Sequence, residues 1–338
     1  MPNVLVTGGA GYIGSHCVYD LIKSGSDVSV IDNLSNSKYE TLELIEKATS
    51  KKINFYEEDL KNAEKLESIF SENSFNAVIH LAADKSVNKS LGDPLGFYTN
   101  NIISTLNLLK CMKNLNTRKL IFSSSATVYS PHNSMPLRED NSIIEPINPY
   151  GKSKLMIETI LNDFCKAEKN FSVGVLRYFN PIGAHESGII GEDPIINGGN
   201  LAPALINALR TKNKIFNIYG NDYDTQDGTC IRDFIHIMDL SDGHLKALNY
   251  VNNNIGYNCW NLGTGKGFSV LEVIENFQEI TNEKLNIVFQ ERRDGDVAIS
   301  YACADKALNE LNWKTERDLP SMLSDLYNWS KLKSQNHD

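Results

Sequence analysis

The stretch Val4–His16, VLVTGGAGYIGSH, is a short apolar run, then a cluster of glycines, then a segment of helical spacing that continues to about Lys23. Such a run, ended by glycine and followed by a helix, reads as a buried strand entering a strand–turn–helix unit. Gly8, Gly11 and Gly14 have the spacing GxxGxxG. Glycines there permit a tight turn and close backbone approach, and a pyrophosphate sits well at the N-terminus of the helix that follows. The alternation then repeats. Ser26–Leu34, Lys52–Leu60, Phe75–Asp84, Arg118–Ser130 and Phe171–Asn180 are strand candidates, with helical segments expected around 62–72, 96–113 and 149–168. Strands separated by helix-length segments build right-handed crossovers and a parallel sheet.

The expected fold class is therefore α/β: a doubly wound parallel Rossmann sheet with a smaller C-terminal α/β substrate lobe. In such sheets ligands bind beyond the carboxyl ends of the strands. Gly8, Asp32, Asp59, Ala82, Ser125 and Tyr178 fall at those ends. Asp32 closes the second strand, 18 residues after Gly14. A carboxylate there accepts hydrogen bonds from a ribose diol and repels a 2′-phosphate, so NAD is favoured over NADP. Asp59, beside Leu60, ends the third strand where an adenine would lie; it is almost as well suited to N-cap the next helix.

The chain has 338 residues, enough for residues 1–180 as a dinucleotide-binding domain and 181–338 as a second lobe. Beyond residue 180 the alternation loosens. Loops rich in Gly, Asn and Asp are expected over 183–200 and 220–230, with short helices near 201–212, 269–281 and 304–311. The segment 234–264 is expected to pack back on the first domain. A formal charge of −9 leaves no basic excess for nucleic-acid phosphates. The six cysteines are far apart, without CxxC or metal-ligand spacing, which reads as free thiols, no metal and a reducing compartment. No apolar run has membrane-spanning length, and the first strand begins at Asn3, so a cytoplasmic enzyme without a signal peptide is expected.

Asn148–Glu158, NPYGKSKLMIE, opens with a good N-cap and a proline suited to the first helical position. Tyr150 and Lys154 then lie one turn apart on the face that continues through Ile157, Leu161 and Phe164. A lysine on an apolar face is costly to desolvate. Either it snorkels out, or it borders a cavity that uses its charge.

Gly8, Gly11, Gly14, Ser125, Tyr150 and Lys154 together resemble the extended short-chain dehydrogenase/reductase family. The strings VTGGAGYIGSH, DNLSNS, FSSSATVY, PYGKSKLMIE, LRYFNPIGAH, DGTCIRDFIHIMDLSDGH, YNCWNLGTG and ELNW are similar, over almost the whole chain, to its UDP-hexose 4-epimerases. A sugar-nucleotide 4,6-dehydratase of the family would carry Asp-Glu after the strand-end hydroxyl residue; here Ala126 and Thr127 stand there. The alternatives are another sugar-nucleotide enzyme on this scaffold (dehydratase, decarboxylase or reductase) and an NAD-binding regulatory module that has lost its chemistry.

The resemblance implies oxidation at C4 of a UDP-hexose by a retained NAD, then reduction from the opposite face. Tyr150 would be the base, which requires a phenolate. An ordinary tyrosine titrates near ~10, and the Lys154 ammonium beside it favours the anion. Ser125 would position or relay the proton, although the run Ser123–Ser124–Ser125 leaves Ser124 open for that role. The resemblance further implies cofactor contacts at Tyr12, Ile13, Asn33, Leu60, Leu81, Ala82, Lys85, Asn100, Ser123 and Tyr178. Arg232 and Arg293 suit a diphosphate because guanidinium binds it in a bidentate fashion. The competing reading of Arg232 is an ion pair with Asp233. Asn180, Asn200 and Leu201 are expected near the diphosphate, Asp296 at the uridine ribose, Tyr219 near the uracil and Ser300 as a wall of the hexose pocket. A small residue at that wall implies that N-acetyl sugars are accepted. Arg292 is expected to be a solvated neighbour and His236 a structural residue. Helices around 96–113 and 149–168 could pair two subunits into a homodimer, or bury that surface within the chain.

Overall fold

The computed structural model describes residues 2–140, 142–193 and 200–335. Its centre is a seven-stranded sheet of β1 (Asn3–Thr7), β2 (Asp27–Asp32), β3 (Asn54–Glu57), β4 (Ala77–His80), β5 (Lys119–Ser125), β6 (Ser172–Tyr178) and a late strand, Gly256–Leu262. Every neighbouring pair is parallel, in the order 3-2-1-4-5-6 with the late strand beside β6. The order reverses between β1 and β4, which opens a crevice at their carboxyl ends.

Alternation along the strands separates two cores. Val4, Val6, Val28, Val30, Leu176 and Trp260 face one side, and Leu5, Ile31, Val78, Phe122, Val173 and Val175 the other. A sheet buried on both faces needs helices on both. The first face is covered by α1 (Tyr12–Lys23), α2 (Glu40–Thr49) and α9 (Ile237–Asn253), the second by α3 (Ala63–Glu72), α6 (Ser104–Asn114) and α7 (Pro149–Ala167). Between α3 and α6 lie the short α4 (Val87–Gly92) and α5 (Pro94–Tyr98).

The expected helix over 96–113 is interrupted. Asp93 caps α5, a π turn spans Thr99–Ile103, and α6 follows. The π turn brings Asn101 inward, where its amide donates to Ser153 Oγ at 3.0 Å and to the Asp84 carbonyl at 3.1 Å. The expected strand through Ser130 stops at Ser125, because the Ser125 hydroxyl caps a 3₁₀ turn over Ala126–Val128. Likewise β3 ends at Glu57, not at Asp59. Helix α2 was not expected from sequence at all.

The remaining strands are β7 (Asn180–Ile182), β8 (Ile215–Tyr219), β9 (Ile231–Arg232), β10 (Phe234–His236), β11 (the late strand, Gly256–Leu262), β12 (Phe268–Ser269), β13 (Asn286–Gln290) and β14 (Ile299–Ser300). They form small sheets, β10–β7, β12–β9–β14 and β13–β8, apart from β11. With α8 (Leu201–Arg210), α10 (Val270–Thr281), α11 (Asp305–Leu311) and α12 (Leu319–Gln335) they complete the chain. Leu205, Phe216, Phe234, Phe277 and Leu323 form a separate core there. Of the loop expected over 183–200, residues 194–199 lie outside the described residues.

Candidate active site

The crevice is shaped first by glycine. Gly8 has φ +72°, and a β-carbon on it would lie 2.8 Å from the Ala82 amide nitrogen. A β-carbon on Gly14 would lie 2.1 Å from the Gly8 carbonyl oxygen. The loops after β1 and β4 therefore touch backbone to backbone. Helix α1 starts after Gly11 with no side-chain cap and no acidic residue in its first turn. Its amides and the positive end of its dipole stay available to an anion, so the residues present fit a dinucleotide pyrophosphate. Tyr12 is buried and its hydroxyl donates to the Gly183 carbonyl at 2.8 Å, while Ile13 is half-buried.

Asp32 is buried at the end of β2. It accepts from the Ala10 amide (3.0 Å), the Leu34 amide (3.0 Å) and the Ser37 hydroxyl (2.8 Å). Exposed Asn33 donates to Asp59 at 3.0 Å, so these two flank one edge of the crevice. Asp59 is not the cap of α3; Asn62 is, and Asp59 instead accepts from the Lys61 amide at 2.8 Å. Leu60 points into the core, and its carbonyl accepts from Asn107 at 3.1 Å. After β4, the Ala82 amide donates to Thr7 Oγ1 at 3.3 Å, and Leu81 is half-buried. Asn100 lies half-buried in the π turn.

On β5 and α7, Gly151 decides the approach of the two elements. A β-carbon there would lie 2.5 Å from the Thr127 carbonyl oxygen. Asn148 Oδ1 accepts from the Gly151 amide at 2.8 Å, and Pro149 occupies the first turn. The helix thus starts hard against the turn after Ser125, and the Ser125 hydroxyl lies close enough to act on the Tyr150 phenol. Burial raises the Tyr150 phenol above its ordinary value, and Ser125 works against that rise. Ser125 also accepts from Thr127 Oγ1 at 2.9 Å. Ser124 is turned the other way, donating to buried Glu158 at 2.5 Å, so Ser125 is the serine that faces Tyr150.

Lys154 does not snorkel. It is buried, donates to the Ser123 carbonyl at 2.7 Å and lies 5.9 Å from the Tyr150 ring centroid and 4.9 Å from that of Phe122. Burial lowers its pKa to about 7, with the Glu158 carboxylate opposing. Tyr178 is buried, and its hydroxyl donates to His244 Nε2.

The strand pairings carry the site onward. Asn180, exposed on β7, pairs with Phe234, and its amide donates to the Asp233 carbonyl at 3.0 Å. On β9 Arg232 pairs in register with Ser300 of β14, and its guanidinium lies 3.6 Å from Asp296. The ion pair with Asp233 is not formed: Asp233 accepts from the Thr264, Gly265 and Ala302 amides. Arg293 lies over the Tyr219 ring at 3.8 Å. Arg292 is not simply solvated, since it pairs with Asp222 at 2.7 Å and lies 4.2 Å over Tyr223. His236 caps α9 and reaches Asp325 at 3.1 Å. The sequence reading missed Glu192. It is buried, and Lys85 (3.3 Å) and Asn200 (3.0 Å) both donate to it, which joins the loop after β4 to the start of α8, where Leu201 is half-buried. Nothing in its local sequence distinguishes a carboxylate that ends up buried by contacts this distant. Among the described residues no cluster of side chains suits a metal ion, and no helix is long and apolar enough to cross a membrane.

Comparison with known proteins agrees with this geometry. A family model described as GDP-mannose 4,6 dehydratase matches residues 5–326. The UDP-glucose 4-epimerase of Haemophilus influenzae is 46% identical over 97% of this chain and 97% of its own. The structure of UDP-glucose 4-epimerase from Bifidobacterium longum, in complex with NAD+ and UDP, matches with a TM-score of 0.95 and 42% identity over 99% of this chain and all of that one. The UDP-Glc/GlcNAc 4-epimerase of Campylobacter jejuni matches with a TM-score of 0.84 and 35% identity over 98% of this chain and 100% of that one. Uninterrupted similarity at this level, over a crevice built for a dinucleotide, leads to one conclusion: the chain belongs to the UDP-glucose 4-epimerases of the extended short-chain dehydrogenase/reductase family.

Proposed function

We propose that this chain inverts C4 of a UDP-hexose, interconverting UDP-glucose with UDP-galactose and also their N-acetyl counterparts. The observation that carries the reading is the start of α7 packed against the turn at the carboxyl end of β5, which sets Tyr150 beside Ser125 with buried Lys154 one helical turn along. NAD, when bound in the glycine cradle, supplies the redox chemistry at C4. Tyr150 takes the C4 hydroxyl proton and later returns it. Burial opposes the phenolate, so the anion depends on neighbours that favour it: the Ser125 hydroxyl and the nearby ammonium.

Inversion requires the 4-keto sugar to present its second face to the same cofactor. The nucleotide must stay fixed while the hexose turns about the diphosphate. Arg232, Arg293, Asn180 and Asn200 are the groups for that anchor, with Leu201 beside Asn200. Asp296 would take the uridine ribose and Tyr219 the uracil. Ser300 lines the hexose side and leaves room for an acetamido group. A dehydratase reading is disfavoured because Ala126 and Thr127 offer no carboxylates for water loss.

We also infer that residues 1–180 with 234–264 make the cofactor-binding domain, and that the chain works as a homodimer in the cytoplasm. All six cysteines are buried free thiols, which suits a reducing compartment. The test of function offers purified protein UDP-glucose, UDP-galactose, UDP-GlcNAc and UDP-GalNAc without added NAD, with products resolved by chromatography and mass. Isomers of unchanged mass from all four support the reading. Turnover of the non-acetylated pair alone removes the Ser300 argument, and a product lighter by one water removes the epimerase.

A further inference from the structure

Tyr150 and Lys154 share their face of α7 with a third residue, Glu158, one turn further on. The chemistry above gives it no task. Glu158 is buried and its carboxylate is fully engaged. Oε1 accepts from Ser124 Oγ at 2.5 Å and from Arg177 Nε at 3.0 Å, and Oε2 accepts from the Arg177 guanidinium at 2.7 Å. The same guanidinium donates to the Tyr129 hydroxyl at 3.0 Å, which donates to Asn261 at 2.7 Å. Asn261 donates to the Leu137 carbonyl at 3.0 Å, and the Leu137 amide donates to the Tyr301 carbonyl at 2.9 Å. One buried chain thus runs from the helix of Tyr150, across β5, β6 and β11, to the residue after Ser300. A buried ion pair is a poor stabiliser compared with apolar packing, so stability does not account for one in this position.

We propose that Glu158, paired with Arg177, is a positioning residue for the reaction: it holds the Ser123–Ser125 strand end against α7 and supplies the negative charge that keeps the Lys154 ammonium charged beside Tyr150. The proposal rests on the epimerase reading. Burial drives Lys154 toward the neutral amine, and Glu158 is the group that opposes this. Around the pair, β4 contributes His80, which burial keeps neutral. Strand β6 contributes Arg177 and Tyr178, β11 contributes Tyr257 and Cys259, and β5 contributes Lys119 at its far end. The elements on the other side of α7 bring Lys89, which is exposed, and Tyr98. Arg177 is therefore the cation that Glu158 screens. Removing Glu158 alone leaves a buried guanidinium without its carboxylate, and removing both leaves neither charge.

The experiment measures kcat and KM for UDP-galactose from pH 6 to 9 in wild type, Glu158→Gln, Arg177→Met and the double variant. The alkaline limb of kcat should fall in the order Arg177→Met, wild type, double variant, Glu158→Gln, from highest pH to lowest. Glu158→Gln should move the limb down by about one pH unit and lower kcat at pH 8 by roughly tenfold or more, with KM within about threefold. If Glu158→Gln does not fold, the double variant, which strands no charge, and Arg177→Met still give the order on either side of wild type. Limbs that coincide, or a Glu158→Gln defect confined to KM, overturn the proposal. A wild-type enzyme inactive on all four UDP-sugars instead overturns the epimerase reading and takes this proposal with it.

Discussion

At Tyr150 a single oxygen separates binding from chemistry. Tyr150→Phe keeps the ring at the start of α7 and removes only its hydroxyl. Because positioned acid–base groups contribute about 10²–10⁴ in rate, turnover is expected to fall by that range while bound NAD, read from the absorbance of purified protein, is retained. Turnover at the wild-type rate would remove Tyr150 as the base. Ser300 makes a different kind of contribution. It sits in register with Arg232, so a large side chain there would project beside the proposed diphosphate anchor. Ser300→Tyr is expected to abolish conversion of UDP-GlcNAc and leave UDP-galactose turnover within about threefold. One bulky wall can exclude a substituent that one missing wall can only tolerate. Equal loss on both substrates would mean that Ser300 supports the site as a whole.

The element on which the site depends is the start of α7. In an ordinary helix, Gly→Ala stabilises by about 0.5–1 kcal/mol. At Gly151 the added carbon would meet the Thr127 carbonyl at 2.5 Å and the Pro146 side chain at 2.9 Å. Gly151→Ala is therefore expected to invert the usual sign, lowering the melting temperature. It should also reduce kcat by roughly 10- to 100-fold, because a displacement near 1 Å at the reacting group is enough for that. A more stable and fully active variant would refute the contact. The asparagine and proline of this helix start were legible in the sequence, since each acts through local backbone chemistry; Gly151 was not, because its role is a contact with the turn after β5. The glycine loop and the six strands up to Tyr178 were legible too. What stayed illegible depends on distant partners. The π turn at Thr99–Ile103 has no residue signature and is stabilised by Asn101 reaching Ser153. The choice of Ser125 over Ser124 follows from a carboxylate on α7, and the link from Lys85 to Asn200 passes through a glutamate more than a hundred positions from the lysine.

For the whole molecule, the decisive groups are the histidines buried without charge on both sides of the large sheet. His16 on α1, His80 on β4 and His244 on α9 are each held by burial well below the ordinary imidazole value, at about 3, 3 and 4. In the unfolded chain they bind protons below pH ~6.5, whereas the folded protein leaves them neutral until near pH 4. The unfolded state therefore holds up to three more protons in that window, and stability falls as pH drops through it, by at most about 4 kcal/mol per pH unit. Asp20 works the other way. Burial raises it to about 6, so the folded protein gains a proton there that the unfolded chain takes up only near pH ~3.8. The loss should consequently build up below pH 6.5 as the unfolded imidazoles charge, and level off near two protons, about 2.7 kcal/mol per pH unit, around pH 5. His16 isolates one proton of this balance: its Nδ1 donates to the Tyr12 carbonyl at 2.7 Å, and its Nε2 is buried with no partner among the described residues. His16→Gln is expected to track wild type in melting temperature above pH 7 after a constant offset. Between pH 6.5 and 5 its curve should be shallower by about one proton, or about 1.4 kcal/mol per pH unit. Curves that stay parallel across that interval would show that His16 takes up its proton in the folded protein, against the burial seen here.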